Sequence, residues 1–191
     1  LFNDTDPLEE ALNSYEDIFW NKYYGMMGNK LGLDQVKKED RELISLFEKT
    51  LSSLQPDMTI FYRLLADVPS EMEENKILDH FAESFYQHLN SSEETEFKYL
   101  IQEYRERIKK NSIPRELSAE MMNRTNPRII LRNYLLHQAI EELENGKESL
   151  FLRLQEAMKD PYTAEGFEDL VKKRPEWAAK KPGCSMLSCS S

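Results

Sequence analysis

Apolar positions recur along this chain at intervals of three and four, the spacing that gathers side chains on one face of an α-helix. Leu8, Ala11, Leu12, Tyr15, Ile18, Phe19, Tyr23 and Met26 form the first such run. Asp6-Pro7 opens it with an acidic cap and a residue that loses nothing by lacking an N–H, and the stretch from Gly28 to Gly32 ends it. A second helix is predicted over about Glu39 to Ser53, with Leu43, Ile44, Phe47 and Leu51 on one face, broken by Gln55-Pro56. Asp57 caps a short third helix carrying Phe61, Leu64 and Leu65. Ser70-Glu-Met-Glu73 and Ser91-Ser-Glu-Glu94 both have the form of a capping box, in which hydroxyl and carboxylate each satisfy a free backbone N–H. The helices they open carry Ile77, Leu78, Phe81, Phe85 and Leu89, then Phe97, Leu100, Ile101, Tyr104 and Ile108. A short helix follows around Pro114 to Met122. Two more are predicted near the end, one with Leu150, Phe151, Leu154 and Met158, one capped by Thr163 and running through Phe167, Leu170 and Val171.

Between these lies Met121 to Asn145, on which the whole pattern centres. Thr125 or Asn126 can cap, Pro127 suits a first helical position, and Arg128 to Leu143 runs without Gly or Pro to a stop at Asn145-Gly146. Ile129, Ile130, Leu131, Tyr134, Leu135 and Leu136 point in nearly every direction, and an all-round apolar helix is a buried one. The helix then narrows to a face made by Leu136, Ala139, Ile140 and Leu143. Arg132 sits on that face and Arg128 one turn before it. A buried guanidinium must be matched, so Arg132 calls for a carboxylate on a neighbouring helix or, alternatively, an anion such as phosphate, with Arg128 joining it. Asn133 and His137 lie on another side and are assigned to backbone or solvent.

No run alternates with the β period and no fixed-length repeat is present. The fold class expected is therefore all-α: an irregular array of about nine helices around a buried central helix, with an extended C-terminal tail. Residues 1–174 form one helical domain and 175–191 the tail. The 191 residues suffice for a single core.

The formal charge of −10 opposes a phosphate-backbone partner, so no nucleic acid is expected. Lys172, Lys173, Arg174, Lys180 and Lys181 nevertheless cluster around Trp177, either as a solvated tail or as a docking site for an acidic surface. No apolar run approaches the roughly 20 residues of a membrane span, so the chain is read as soluble, with no membrane partner. Its first residue, Leu1, fits a piece of a longer protein or a processed chain.

Much familiar chemistry is missing. Gly25-Met-Met-Gly28-Asn-Lys30 lacks the spacing of a phosphate loop, and neither HExxH nor GxSxG occurs. None of the three histidines has a Glu three residues before it, and His80 with His88 makes only two ligands, so no metal site is expected. The aromatics follow the helical faces and read as packing. Cys184 and Cys189, the only two cysteines, sit near the C-terminus behind the basic cluster. Nearby cations raise a thiol's thiolate fraction. The pair can close a local disulfide if the segment turns back, or they are incidental cysteines on a disordered end. The small cysteine count points to a reducing compartment.

Several short stretches carry a resemblance. Leu187-Ser-Cys-Ser-Ser191 resembles the ending of the selenoprotein O family, protein adenylyltransferases with a pseudokinase fold. Asn126-Pro-Arg-Ile-Ile-Leu-Arg-Asn133 resembles its Asn-Pro…Leu-Arg-Asn segment, Lys30-Leu-Gly-Leu33 its Lys-Leu-Gly-Leu, and Pro175-Glu-Trp-Ala178 its Pro-Glu-Trp-Ala. Asp57-Met-Thr-Ile-Phe-Tyr-Arg63 is similar to an Asp-aromatic-Thr…Phe-x-Arg segment, with Met58 in the aromatic place. The matches run from Lys30 to Ser191 in family order.

The resemblance implies that this is the C-terminal helical region of such a protein. Members bind ATP, with the nucleotide inverted, and transfer AMP to Ser, Thr or Tyr hydroxyls of protein substrates. The residues for ATP and magnesium belong to the upstream kinase-like domain, so no catalytic residue is carried over and this region alone is expected to bind neither and to be inactive. The missing kinase-like domain is then its partner. The compartment implied is cytoplasmic, or mitochondrial in a eukaryote. In selenocysteine-containing members the selenium residue stands third from the end, the place of Cys189, and in some members the terminal thiol or selenol pairs with a cysteine of the kinase-like part. Cys189 inherits a redox role by position. The alternative reading is a stand-alone helical protein–protein interaction module with a thiol-bearing tail.

Overall fold

A computed structural model describes residues 5–69, 71–181 and 184. Among them are nine α-helices, two short 3-10 turns and no strand, so the chain is all-α. The order is α1 (Asp6–Leu31), α2 (Asp40–Leu54), α3 (Met58–Ala66), a 3-10 turn (Glu74–Lys76), α4 (Ile77–Phe81), a second 3-10 turn (Ala82–Ser84), α5 (Ser91–Ile108), α6 (Arg115–Thr125), α7 (Asn133–Glu144), α8 (Ser149–Ala157) and α9 (Glu176–Lys180).

Two apolar cores result. The larger is built by the C-terminal end of α1 with α2 to α6, around Phe47, Phe61, Phe81, Phe97 and Tyr104, all essentially inaccessible. Phe61 stacks on Phe81 at 5.3 Å, and Phe47 meets Tyr104 edge to face at 5.7 Å. The second gathers Ile129, Tyr134, Leu135 and Ala139 with Leu154, Ala157, Leu170 and Ala178.

The predicted central helix is not formed as one piece. Helix α6 stops at Thr125, residues 126–132 are non-helical, and α7 begins at Asn133. Pro127 disfavours helical backbone at Asn126, and tertiary bonds complete the break: the N–H groups of Arg128 and Ile129 both donate to the Pro161 carbonyl, at 2.8 and 2.9 Å. Ile129 is buried without a helix, while Leu131, Ile140 and Leu143 are exposed. The inward face of α7 is Tyr134, Leu135 and Ala139, so the core is organised around the aromatic group of α2 to α5 instead.

Three other expectations shift. The capping box of α5 uses Asn90 and Glu93, one residue earlier than read from Ser91 and Glu94. The helix predicted from Ser70 begins with a 3-10 turn at Glu74 and becomes α-helical only at Ile77, and Ser70 lies outside the described residues. Residues 163–171 form turns rather than a helix, whereas the stretch expected to be extended after Pro175 contains α9.

Candidate functional site

Three of the segments that carry the family resemblance, 30–33, 57–63 and 126–133, come together in space. Helix α1 ends at Gly32, whose φ of 71° is the left-handed conformation that glycine adopts without strain. The carbonyls freed there are taken by side chains from later in the chain. Asn126 Nδ2 donates to the Lys30 carbonyl at 2.9 Å, and the Tyr104 hydroxyl to that of Leu31 at 3.1 Å. The Gly32 carbonyl accepts from Ser118 Oγ at 2.7 Å and from Asn111 Nδ2 at 2.8 Å. Arg63 of α3 donates to the carbonyls of Asn123 and Asn126, at 3.0 and 3.1 Å, holding the end of α6.

Asp57 is the centre of the second cluster. It caps α3 by accepting from the Ile60 N–H at 3.2 Å. Its two oxygens take both terminal nitrogens of Arg132, Nη2 at 2.9 Å to Oδ1 and Nη1 to Oδ2. The Tyr86 hydroxyl donates to Oδ2 at 2.8 Å. The side chains of Arg132 and Asp57 are only 9% and 2% exposed. Burial pushes the Asp57 carboxyl up, but the hydrogen bonds and charge of Arg132, with the Ile60 N–H and the Tyr86 hydroxyl, overcome it and hold the carboxyl below its ordinary range. Burial, then Asp57 itself, pushes the Tyr86 phenol up.

Arg132 thus stands at the N-cap position of α7, bound to the carboxylate that caps α3, and not on the face of a helix with Leu136, Ala139 and Leu143. Arg128 does not join it; it is exposed and lies in the field of Arg63 and Glu168. Nothing in the sequence pairs Arg132 with Asp57 across 75 positions. The same holds for a second buried pair, Arg107 with Asp40, in which the arginine also donates to the Gln35 carbonyl at 2.8 Å and to Asn111 Oδ1 at 2.9 Å. The cap signal at Asp57 was legible; its second duty was not.

The basic cluster is folded inward. Lys173 Nζ donates to the Phe85 carbonyl, and the Arg174 guanidinium lies 5.1 Å from the centre of the Tyr86 ring. The Tyr134 hydroxyl donates to the Lys172 carbonyl at 3.3 Å, Trp177 meets Tyr134 edge to face at 6.2 Å, and Lys181 binds Glu141 at 2.7 Å. His137 lies 3.1 Å from the same carboxylate. Cys184, expected on a polar segment, is buried in the second core at 3% exposure. Cys189 lies outside the described residues.

Chemically this cluster binds itself. Both oxygens of Asp57 are engaged within the chain, and no nucleophile and base stand together there. Among the described residues, no three His, Cys, Asp or Glu are grouped as metal donors, and no helix is long and apolar enough to cross a membrane.

Comparison with known proteins agrees with the pattern of these segments. Residues 1–159 match the family model described as protein adenylyltransferase SelO. Over its whole length the chain is 46% identical to a protein nucleotidyltransferase YdiU of Cytophaga hutchinsonii, covering 36% of that protein. It is 35% identical to the proteins of that name from Nitrosospira multiformis and Flavobacterium johnsoniae, covering 38% and 37% of them. The chain therefore spans a little over a third of the length of the curated relatives it matches. With the family model covering most of its residues, the chain belongs to the SelO family of protein adenylyltransferases.

Proposed function

We propose that this chain is the C-terminal helical region of an enzyme that transfers AMP from ATP to Ser, Thr or Tyr hydroxyls of other proteins, and that it serves there as a scaffold. The observation that supports this is how the family-like segments are used. The segments 30–33, 57–63 and 126–133 are tied to each other and to helix ends through Asn126, Arg63 and the Asp57–Arg132 pair. ATP and magnesium act elsewhere in this reading, in the larger part of the parent protein that these residues do not cover. The thiol of Cys189 is the region's redox group in this reading, and the burial of Cys184 favours Cys189 over it.

The test follows AMP-labelled ATP into an acceptor protein, using the parent enzyme and this 191-residue chain side by side. The parent labels its acceptor; the chain alone does not, and calorimetry finds no millimolar or tighter ATP binding to it. Label transfer by the chain alone would place the chemistry within these residues and overturn the reading.

A further inference from the structure

Helix α1 stands out for how little of it the body covers. Every residue from Asp6 to Lys22 is exposed, and the helix meets the body only near its C-terminal end, where Met27, Gly28 and Leu31 are buried. A helix in that position would normally be polar, yet Leu8, Leu12, Tyr15, Phe19 and Met26 form one stripe of large apolar side chains, from 43% to 74% exposed. Their spacing of four, three, four and seven keeps them within one narrow face, the pattern of a helix that seats against another apolar surface. The stripe runs into two concavities beside it. One lies between α1 and α2, at Trp20, Tyr24 and Ile44; the other lies toward α3, at Met27, Leu51 and Met58. Tyr23, bonded to Glu48, divides them. Contiguous apolar surface of this kind marks an interface.

We infer that this face is the seat of the rest of the parent polypeptide, the part that the relatives carry beyond the third of their length matched here. The inference rests on the functional reading above. All of the chain aligns with about 36% of the first relative, so most of that protein is outside these residues and tethered to them. Tethering turns docking into an intramolecular event that needs no high intrinsic affinity. Glu9 and Glu16 flank the stripe on one side, so the occupying surface is an apolar groove with cationic side chains along one rim. Met58 lines the floor of the seat, which gives a packing use to the position where the family resemblance has an aromatic.

The experiment is hydrogen exchange on the full-length parent and on the 191-residue chain, with size-exclusion light scattering of both. Amides of residues 6–22 exchange on the order of a hundredfold more slowly in the parent than in the chain alone. In the parent, the triple substitution Leu12→Asp, Tyr15→Asp and Phe19→Asp removes that protection, while Glu10→Lys, on the far side of the helix, leaves it. Equal exchange in the two proteins would overturn the proposal, as would protection that appears in the chain alone together with a dimer, since the occupant would then be a second copy. AMP transfer is measured on the same samples. An active parent with an unprotected α1 sinks this interface and spares the functional reading; an inactive parent with a protected α1 does the reverse.

Discussion

Asp57 caps one helix, neutralises the guanidinium that opens another, and accepts from Tyr86 on a third segment. Removing Arg132 would leave that carboxylate buried and uncompensated, which costs about 3–5 kcal/mol when the pair is dry. With side-chain exposures of 9% and 2%, the Arg132→Ala midpoint in urea should fall by a corresponding amount, and an unchanged midpoint would mean water reaches the pair. The pH dependence has a definite sign. Because the folded carboxyl titrates below its ordinary value of 3.8, its stabilisation is present above about pH 4 and is lost as pH falls through the folded value. Asp57→Asn should flatten stability below about pH 4 relative to wild type, as read from acid unfolding curves. Cys184 gives a second residue-level test. Buried among apolar neighbours, it should react with a thiol reagent far more slowly in the native protein than in urea. The comparison is made in a Cys189→Ser background, and native labelling at the denatured rate would contradict its burial.

Helix ends decide the joints between elements here. The α5 box uses the Asn90 side chain on the N–H groups of Ser92 and Glu93, at 3.0 and 3.1 Å, and Glu93 returns to the Asn90 N–H at 2.8 Å. Asn90→Ala should cost about 1 kcal/mol of stability. Gly32→Ala should cost more. It places a β-carbon 2.4 Å from Ser118 Oγ at a backbone angle that non-glycine residues adopt only with strain, and it disturbs the carbonyl that Ser118 and Asn111 share. Differential denaturation of the two variants ranks them directly; a Gly32→Ala protein as stable as wild type would show that the α1–α6 corner can relax.

At the scale of the molecule, the two cores are joined through few groups, chiefly Asp57 with Arg132 and Tyr86 with Arg174. Lys173 with the Phe85 carbonyl and Arg63 with the Tyr162 carbonyl, the latter at 3.5 Å, add further ties. Wild-type protein should therefore unfold as one unit, with Trp177 fluorescence from the second core following far-UV circular dichroism when Trp20 is replaced by Phe. In Arg132→Ala the two signals should separate, the fluorescence changing at lower urea. Signals that still coincide would show that apolar packing, not the polar junction, couples the cores.

Periodicity and capping made the all-α class readable, along with the bounds of α2, α3 and α5 to within a few residues and the stop of α1. These depend on contacts between near neighbours, which a linear pattern records. The identity of the family was legible too, because its segments are short and keep their order. What lay beyond the sequence were the facts decided by distant partners. The same apolar run that reads as a buried helix from Arg128 leaves the helical path because the Pro161 carbonyl binds its N–H groups across more than thirty positions. The helix through Phe85 is cut short for a related reason: the Ser84 carbonyl takes the Asp57 N–H at 2.7 Å, which brings Tyr86 to Asp57. A buried charge announces that it needs a partner, but only the packing of helices chooses which carboxylate arrives, since that choice is made by shape and distance and leaves no mark on spacing along the chain.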